Sequence, residues 1–260
     1  MIGFDNHKLI TIKIGSNLLT DSKNKLDLNN LRHLIEQISV YKQNGKDVII
    51  VTSGAIVCGS EALGIKAQSI TDKQAAAAVG QVILMENYQQ FFARQGLKTA
   101  QILLTKDVFE DANRATLTQN TINRLLSLNI IPIVNENDTV SVDEIKFSDN
   151  DNLSSLVSIM LGADLHIILT DIDGLYDADP RLNKDAKLIK ELSSISDSLI
   201  KSLSAESPSQ KGRGGMKSKI ESAKTLMDNN IDVVIANGRQ ENILLDLLSG
   251  KPYGTFCRKE

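Results

Sequence analysis

The sequence predicts a doubly wound α/β sandwich built on a mainly parallel sheet. Short apolar runs rich in Ile, Leu and Val recur along the chain and do not alternate with polar residues, which is typical of strands buried on both faces. Helical stretches separate the runs, and strand–helix alternation over a whole chain favours this fold class. The 260 residues suffice for one large α/β domain or two small ones. The runs lie at residues 9–14, 48–52, 99–104, 130–134, 165–170 and 233–236.

The stretches between these runs carry helix signals. Apolar residues recur at helical spacing over residues 28–41. Residues 71–74 match a capping box ahead of an Ala-rich helix that ends near Gly96. Residues 173–209 are less regular, and residues 204–210 are predicted to form a flexible connector. Further helices are predicted at residues 113–128, at 153–161 and after a glycine-rich loop at 212–219.

Composition disfavours several classes of protein. Hydrophobic residues make up 42% and charged residues 23% of the chain, which is ordinary for a soluble globular protein. The net charge of -3 supplies no bulk basic field, so nucleic-acid binding is disfavoured. Cys58 and Cys257 make no metal-type spacing and fit a reducing cytosol. Neither a signal peptide nor an apolar stretch of roughly 18 residues is found, so a soluble, cytoplasmic protein is expected.

Short polar side chains are concentrated between the fourth apolar run and the helix that follows it. Residues 135–139 and 147–152 consist almost entirely of carboxylates, carboxamides and small hydroxyl residues. A turn alone rarely needs such a density of polar groups. In an open α/β sheet, ligands bind outside the carboxyl ends of the strands. The position of these residues therefore indicates a small-molecule enzyme.

Two earlier strand ends could contact an anion. Lys13 ends the first run, and a lysine among strand apolars is costly to bury unless it meets an anion. Gly15 would let the backbone approach a ligand closely; a surface lysine beside a turn glycine is the alternative. Ser53 and Gly54 open a helix after the second run, where free N–H groups suit an anion. A simple helix cap by Ser53 explains that segment equally well.

Two later segments are candidates for phosphate or nucleotide binding. Residues 212–219 form a glycine loop that runs into a helix, where backbone groups can wrap a phosphate and lysines can neutralise it. The loop matches neither a Walker A sequence nor a complete dinucleotide fingerprint, and a mobile surface loop is the alternative. Thr170 and Asp171 follow a strand, where the aspartate could hold a ribose or a metal or belong to an ordinary turn.

The combination of these segments favours phosphoryl transfer, whose catalysis is mostly positioning and charge neutralisation. His7, His33 and His166 are scattered, with none in a polar cluster, and we interpret all three as structural or exposed. Without a histidine base, an acceptor that is already ionised is favoured. A carboxylate, with a reference pKa of about 4.3, is ionised at neutral pH. The sequence thus indicates a kinase that forms an acyl phosphate.

Several motifs, in order along nearly the whole chain, resemble the amino acid kinase family. They lie at residues 13–16, 51–56, 134–138, 148–154, 169–171, 174–176 and 214–219. The resemblance implies a three-layer αβα sandwich around a mainly parallel sheet, with glutamate bound by the N-terminal part and the nucleotide by roughly residues 165–260. It implies that ATP, with Mg²⁺, phosphorylates the γ-carboxylate of L-glutamate to γ-glutamyl 5-phosphate, the first step of proline biosynthesis.

The resemblance also implies roles for individual residues, with no metal ligand assigned. Lys13 and Lys219 would neutralise the transferring phosphoryl group, and Asp151 would hold both lysines. Lys217 and Lys219 lie about 200° apart on a helix, and the motif match selects Lys219. The expected glutamate-site residues are Ser53, Gly54, Ala55, Asn135, Asp138, Asp149 and Asn150. The expected nucleotide-site residues are Lys13, Gly15, Thr170, Asp171, Arg213, Gly214, Gly215, Met216, Lys217, Ser218 and Lys219.

Further implications concern partners and domains. The resemblance implies a homo-oligomer, feedback inhibition by proline, and a possible downstream reductase that consumes the labile acyl phosphate. Many bacterial members carry a C-terminal RNA-modification-type (PUA) domain. The few residues after Phe256 leave no room for one, so a single kinase domain over residues 1–260 is expected.

Three other interpretations remain open. Another kinase of the same fold could act on N-acetylglutamate, aspartate, carbamate or a nucleoside monophosphate, although Asp138 favours a substrate with a free amino group. A catalytically silent sensor of glutamate or proline is a second alternative, against which Lys13, Lys219 and Asp151 argue. A nicotinamide dehydrogenase is the third, and the incomplete dinucleotide fingerprint disfavours it.

Overall fold

The computed structural model describes residues 6–23, 25–140, 150–178, 180, 183–205 and 215–259. The strands of these residues form one eight-stranded sheet in the order β3-β4-β2-β1-β5-β7-β8-β6. The pairs are parallel except for β7 with β8, which confirms the predicted mainly parallel sheet. The strands are β1 (Leu9–Ile14), β2 (Asp47–Val51), β3 (Lys98–Leu104), β4 (Ile130–Glu136), β5 (Leu165–Thr170), β6 (Glu191–Leu192), β7 (Asp232–Asn237) and β8 (Thr255–Cys257).

Helices cover both faces of the sheet, which gives the αβα sandwich. The helices are α1 (Leu28–Gln43), α2 (Ala55–Leu63), α3 (Ile70–Arg94), α4 (Asp107–Glu110), α5 (Ala112–Ser127), α6 (Asn150–Leu161), α7 (Asp197–Ala205), α8 (Met216–Asp228) and α9 (Ile243–Leu248). The largest apolar cluster packs α1, α3 and α9 on one face, and two smaller clusters pack α5, α6 and α8 on the other. Among the described residues, we find no helix with the length and apolar character that crossing a membrane requires.

The alternation of side chains along β1 decides which of its residues reach the site. Ile10, Ile12 and Ile14 belong to the core under α1 and α3. Because successive strand residues point to opposite faces, Thr11 and Lys13 face the layer that contains α6. All of β1 except its first residue is buried. The Lys13 side chain is therefore directed into the protein at the carboxyl end of the strand.

Strand β4 continues further than the apolar run predicted. The sequence placed the end of the strand at Val134, but β4 extends to Glu136. Asn135 and Glu136 are consequently buried strand residues rather than the start of a loop. The extension places the Asn135 amide in the interior at the carboxyl edge of the sheet, close to the ends of β1 and β2.

The predicted start of α3 was wrong, and the predicted connector was wrong at its first two residues. Helix α3 begins at Ile70, and its capping box consists of Ser69 and Asp72 instead of residues 71–74. Asp72 N–H donates to Ser69 Oγ at 3.0 Å, and Ser69 N–H donates to the Asp72 carboxylate at 3.3 Å. Both segments have the spacing of a capping box, so spacing alone does not choose between them. In the predicted connector, Ser204 and Ala205 are the last residues of α7, and residues 206–210 lie outside the described residues.

Helices α2 and α3 pack backbone against backbone at two glycines. A Cβ atom added to Gly59 would lie 1.7 Å from the carbonyl oxygen of Ala76. One added to Gly80 would lie 1.8 Å from the carbonyl oxygen of Ala55. Non-bonded atoms do not approach so closely, so this packing requires glycine at both positions. It holds the start of α2 rigidly against the long helix α3.

Gly80→Ala is expected to force α2 away from α3 and to destabilise the protein by roughly 1–3 kcal/mol, the usual cost of overpacking. The measurement is the free energy of unfolding from urea denaturation. Val79→Ala, on the exposed side of the same helix, is the matched control and is expected to stay within about 0.5 kcal/mol of the parent. An unfolding free energy for Gly80→Ala equal to that of the parent would contradict the close approach of the two helices.

Candidate active site

Three charged side chains are buried together at the carboxyl end of β1. Lys13 on β1, Asp151 in the first turn of α6 and Lys219 in the first turn of α8 are 4%, 0% and 5% exposed. Lys13 Nζ contacts Asp151 Oδ1, and Lys219 Nζ lies 3.1 Å from Asp151 Oδ2. Each carboxylate oxygen therefore holds one ammonium group. Within this set of three side chains, two ammonium groups share one carboxylate.

The charges of this cluster stabilise one another. Burial alone would raise the pKa of the Asp151 carboxyl, but the Lys13 and Lys219 ammonium groups and the Ser218 hydroxyl outweigh it and hold that pKa below its usual range. Asp151 is therefore ionised at neutral pH. A buried, preorganised positive charge of this kind can stabilise negative charge on a reacting anion.

Helix α8 presents Lys219, and not Lys217, to this cluster. Ser218 Oγ lies 2.9 Å from Asp151 Oδ2 and 3.0 Å from the carbonyl oxygen of Gly215, the N-cap of the helix. Lys217 is 64% exposed and pairs with Glu221 one turn along the surface. The geometry therefore supports Lys219 as the second lysine of the cluster. Met216 is the first residue of α8, and its side chain is half-buried.

Asn150 joins several polar segments beside the charged cluster. Its Nδ2 lies 2.6 Å from the carbonyl oxygen of Thr52, 2.7 Å from Ser53 Oγ and 3.1 Å from Asn135 Oδ1. Thr52 and Ser53 follow β2, and Asn135 lies on β4. Asn150 directly precedes Asp151, so this amide network and the charged cluster share the first turn of α6. The fold thus brings together residues that the sequence predicted for the substrate site.

Gln81 on α3 extends the network of the Asn150 and Asn135 amides. The sequence analysis did not identify it as a site residue. Asn135 Nδ2 donates to Gln81 Oε1 at 2.9 Å, and Gln81 Nε2 donates to Gln101 Oε1 at 3.2 Å. Asn135 Oδ1 accepts the N–H of Glu136 at 2.9 Å. Together these contacts fix the orientation of the Asn135 amide. The available signal was a glutamine on an Ala-rich helix, because a buried polar side chain needs partners.

The start of α2 has the geometry of an anion site. Its N-cap, Gly54, has a φ of 98°, in the left-handed region that favours glycine, and no side chain of the described residues caps the helix. Ser53 therefore does not act as the cap, and its hydroxyl contacts Asn150 Nδ2 instead. The first N–H groups of a helix have no partner within the helix, so those of α2, from the buried Ala55 onward, are suitable donors to an anion. Asp138, two residues beyond β4, is half-buried.

Residues predicted for the nucleotide lie at the ends of β1 and β5. Gly15 N–H donates to the carbonyl oxygen of Leu169 at 3.2 Å, which joins the two strand ends. Thr170 is buried at the end of β5, whereas Asp171 is exposed. Asp171 Oδ2 accepts from Asn17 Nδ2 at 3.0 Å. Gly15, Thr170 and Asp171 therefore lie at the same sheet edge as the charged cluster.

Three predicted site residues, Asp149, Arg213 and Gly214, lie outside the described residues. Asp149 directly precedes α6, and the other two precede the N-cap of α8. Their roles stay predictions from the sequence. Within the part of the chain that the structure describes, no group of three or more His, Cys, Asp or Glu side chains could hold a metal ion.

His166 lies in a buried polar cluster between β5 and α6, so the expectation that no histidine lies in such a cluster was wrong. Its Nδ1 lies 2.7 Å from Ser158 Oγ, and its Nε2 lies 3.2 Å from Ser154 Oγ. Burial lowers the pKa of His166 to about 3, with Asp151 raising it and Lys13 lowering it. The imidazole is therefore neutral at neutral pH. The sequence did not reveal this cluster because the serines belong to a different element.

The neutral, buried His166 is expected to make the protein less stable in weak acid. The unfolded chain protonates a histidine below about pH 6.5, whereas the pKa of the folded His166 is about 3. The unfolded state binds more protons between these values, so stability falls as the pH falls. From pH 7 to pH 5, this group should cost about 2 kcal/mol.

Urea denaturation of the parent and of His166→Gln at pH 7 and pH 5 measures this effect. The parent should lose more unfolding free energy than the variant, by about 2 kcal/mol. His33, which is exposed, and His7, which is half-buried, are present in both proteins. Their contributions to the change in unfolding free energy therefore cancel in the difference. An equal loss in the two proteins would contradict a neutral buried imidazole.

The chain is similar in sequence to proteins of a known family. The profile of the amino acid kinase family matches residues 8–237. A glutamate 5-kinase from Thermoanaerobacter sp. (strain X514) is 43% identical over 248 residues, and the match covers 95% of this chain and 66% of that protein's length. Glutamate 5-kinases from Clostridium perfringens (strain 13 / Type A) and Clostridium tetani (strain Massachusetts / E88) are 44% and 45% identical, over 96% of this chain and 94% of theirs.

Solved structures share the fold at much lower sequence identity. The UMP kinase from Bacillus anthracis has a TM-score of 0.66 and 16% identity, covering 98% of this chain and 97% of that one. The UMP kinase from Ureaplasma parvum has a TM-score of 0.63 and 17% identity, covering 98% and 100%. At these identities the likeness concerns the fold alone, and it confirms the predicted αβα architecture.

Proposed function

This chain belongs to the amino acid kinase family, and on that premise we propose that it phosphorylates the γ-carboxylate of L-glutamate with MgATP. The product would be γ-glutamyl 5-phosphate, formed in the first step of proline biosynthesis. The observation that carries the proposal is the buried cluster of Lys13, Asp151 and Lys219 beside the amide network of Asn150. The similarity to glutamate 5-kinases supports the choice of acceptor.

The two lysines would neutralise charge on the transferring phosphoryl group. Each ammonium group has three N–H donors, so Lys13 and Lys219 can bind Asp151 and a phosphate oxygen at the same time. In the reaction, a γ-carboxylate oxygen attacks the terminal phosphorus of ATP. The bond from that phosphorus to the bridging oxygen breaks, and ADP leaves with the electron pair. Fixed cations beside the phosphoryl oxygens lower the barrier because they are already oriented.

Asp151 would organise the lysines and would not act as a general base. Lys13 and Lys219 each hold one of its oxygens, and its depressed pKa makes it a poor proton acceptor. The acceptor needs no base, because a γ-carboxylate with a reference pKa of about 4.3 is already ionised at neutral pH. The chemistry therefore depends on positioning and electrostatics.

Glutamate would bind between the start of α2 and the end of β4. The N–H groups at the start of α2 suit a carboxylate, and the Asn135 and Asn150 amides are fixed beside them. Asp138 is a suitable partner for the substrate ammonium group. The proposed glutamate-site residues are Ser53, Gly54, Ala55, Asn135, Asp138, Asp149 and Asn150. The proposed nucleotide-site residues are Lys13, Gly15, Thr170, Asp171 and residues 213–219.

Mg²⁺ would arrive on the phosphates of ATP as part of the substrate. This ion usually keeps several waters and takes one or two carboxylates besides substrate phosphates. Asp151 is an unsuitable ligand because each of its oxygens is held by a lysine.

The proposal extends to the setting of the reaction. An acyl phosphate hydrolyses readily, so a reductase that consumes it directly is a reasonable partner. Feedback inhibition by proline, a homo-oligomeric state and a cytoplasmic location complete the proposal, and they rest on the family resemblance.

Asp138→Ala is expected to raise the KM of glutamate by about 10- to 100-fold, because a charge-assisted hydrogen bond is worth roughly 1.5–3 kcal/mol. The KM of ATP should change less than about twofold, since the residue contacts the acceptor in this proposal. Steady-state kinetics with each substrate varied in turn measures both constants. Thr139→Ala, at the exposed neighbouring position, is the control. A larger effect on the KM of ATP would contradict this role and would assign Asp138 to the nucleotide site.

The function is tested by ATP-dependent hydroxamate formation, with Mg²⁺, hydroxylamine and L-glutamate, run beside aspartate and N-acetylglutamate. A signal with glutamate alone is expected. A signal only with another acceptor would keep the reaction type and replace the substrate. Folded protein that binds glutamate but gives no hydroxamate with any acceptor would instead identify a sensor.

A further inference from the structure

His166 connects the sheet to the helix that carries Asp151. It lies on β5 and is fully buried. Both ring nitrogens contact α6, with Nδ1 2.7 Å from Ser158 Oγ and Nε2 3.2 Å from Ser154 Oγ. The Ser154 and Ser158 hydroxyls are also buried. The imidazole therefore spans one turn of α6 and contacts it at both ends of that turn.

The available hydrogens decide which nitrogen of the ring carries its proton. Ser154 Oγ donates to the carbonyl oxygen of Asp151 at 2.8 Å, since a carbonyl can only accept. Ser154 has a single hydroxyl hydrogen, and its contact with the carbonyl oxygen is shorter than its contact with His166 Nε2, 2.8 Å against 3.2 Å. We therefore assign the hydrogen to the carbonyl contact, and His166 Nε2–H then donates to Ser154 Oγ. Nδ1 then has no hydrogen and accepts from the Ser158 hydroxyl. Every group in this chain of contacts is satisfied when the ring is a neutral Nε2–H tautomer.

The chain of contacts ends on the backbone of Asp151. Its carbonyl oxygen accepts from Ser154 Oγ at 2.8 Å and from Ser155 Oγ at 3.0 Å. The Asp151 carboxylate must place one oxygen at Lys13 and the other at Lys219. A slide or rotation of α6 would move the carboxylate out of this position. The placement of α6 on the sheet therefore affects both contacts of the charged cluster.

We propose that His166 is a positioning residue for the reaction: through Ser154 and Ser158 it fixes α6 on β5, and it thereby places the Asp151 carboxylate between Lys13 and Lys219. The kinetic part of this inference rests on the proposed function. The histidine does not touch the substrate or the reacting atoms. Its role predicts an effect on kcat more than on substrate binding, because the geometry of the lysines matters most in the transition state.

Thr11 offers a matched control for substitutions at this position. It is the register partner of His166 on the adjacent strand β1, and it is fully buried on the same face of the sheet. In the described part of the chain, its hydroxyl oxygen has no hydrogen-bond partner. Thr11→Val keeps the shape of the side chain and removes this hydroxyl group. The variant therefore tests the effect of changing a buried polar side chain at this place in the sheet, while the contacts of His166 stay intact.

The kinetic test compares the parent with His166→Leu, His166→Gln and Thr11→Val. His166→Leu is expected to lower kcat by roughly 10- to 100-fold, the size expected for a small misplacement of catalytic groups, with the KM of glutamate and ATP within about twofold. His166→Gln keeps an N–H donor toward Ser154 and should recover most of kcat, and Thr11→Val should match the parent. The inference is overturned if His166→Leu keeps the parent kcat, if the loss lies in KM, or if His166→Gln is as impaired as His166→Leu.

A second measurement does not depend on catalysis. In protein labelled with ¹⁵N-histidine, the ring signals that disappear in His166→Leu or His166→Gln belong to His166. They should report a neutral Nε2–H tautomer, and an Nδ1–H tautomer or a charged ring at neutral pH would overturn the network. A parent protein that shows this tautomer but no glutamate-dependent turnover would leave the contacts intact and refute the proposed function, which separates the two failures.

Discussion

Lys219→Ala is expected to lower kcat by about 10²- to 10³-fold, the usual effect of removing one preorganised charge donor from a transition state. Lys219 is buried and lies 3.1 Å from Asp151 Oδ2, so its ammonium group is held in place. In the proposed reaction it lies where the phosphoryl charge develops. Because the group acts mainly in the transition state, kcat and kcat/KM should fall together. Steady-state measurement of ATP-dependent hydroxamate formation gives both constants.

Lys217→Ala is the control for this substitution. Lys217 lies on the same turn of α8, but it is 64% exposed and pairs with Glu221. Surface pairs of this kind contribute roughly 0–1 kcal/mol, so kcat should change by less than about threefold. Equal losses in the two variants would mean that α8 contributes through its overall charge, and the assignment of Lys219 to the cluster would be wrong.

Asp151→Asn is expected to impair both stability and activity. The substitution keeps the size of the side chain but removes the negative charge that the two buried ammonium groups share. Removing one partner of a buried ion pair typically costs about 3–5 kcal/mol. The unfolding free energy should fall by that amount, and kcat should fall at least about 100-fold because Lys13 and Lys219 are no longer held together.

Urea denaturation at pH 7 measures the stability effect of Asp151→Asn. The control is Asp228→Asn on the surface of α8, where the carboxylate is 54% exposed and pairs with Lys224 and Lys259. Because exposed ion pairs contribute little to stability, this variant should be nearly as stable as the parent. The depressed pKa of Asp151 adds a second signature. The parent keeps the contribution of this carboxylate at neutral pH and loses it only as the pH falls below about 4, through the folded-state pKa. Equal stability of parent and Asp151→Asn would contradict a coupled buried cluster.

The sequence was sufficient for the parts of the protein that depend on local pattern. Apolar runs without alternation mark strands buried on both faces, which is why the mainly parallel sheet could be predicted. Lys13 was a candidate because a cation inside an apolar strand is costly to bury without a partner, although the segment alone favoured a surface lysine beside a turn glycine. That this partner is Asp151, shared with Lys219 on a distant helix, is a property of the folded chain. Motif resemblance suggested this link, and no spacing in the sequence does.

The parts that the sequence did not reveal depend on contacts between elements. His166 sits in an apolar run, and nothing nearby in the sequence indicates that serines on α6 face both ring nitrogens. Gln81 gave only a weak signal, because a glutamine on an Ala-rich helix can equally face solvent. The start of α3 was misplaced because Ser69 and Thr71 both fit the capping-box spacing, and only the hydrogen bonds distinguish them.

The most direct test of the central claim follows one oxygen atom. L-Glutamate labelled with ¹⁸O in its γ-carboxylate is incubated with unlabelled ATP, Mg²⁺ and hydroxylamine. If a carboxylate oxygen attacks the terminal phosphorus, hydroxylamine then displaces phosphate at the acyl carbon, and the phosphate carries that oxygen away. The expected result, by mass spectrometry or ³¹P NMR, is phosphate with a single ¹⁸O for each hydroxamate formed. Unlabelled phosphate would mean that ATP is split by water and that the carboxylate is not the acceptor.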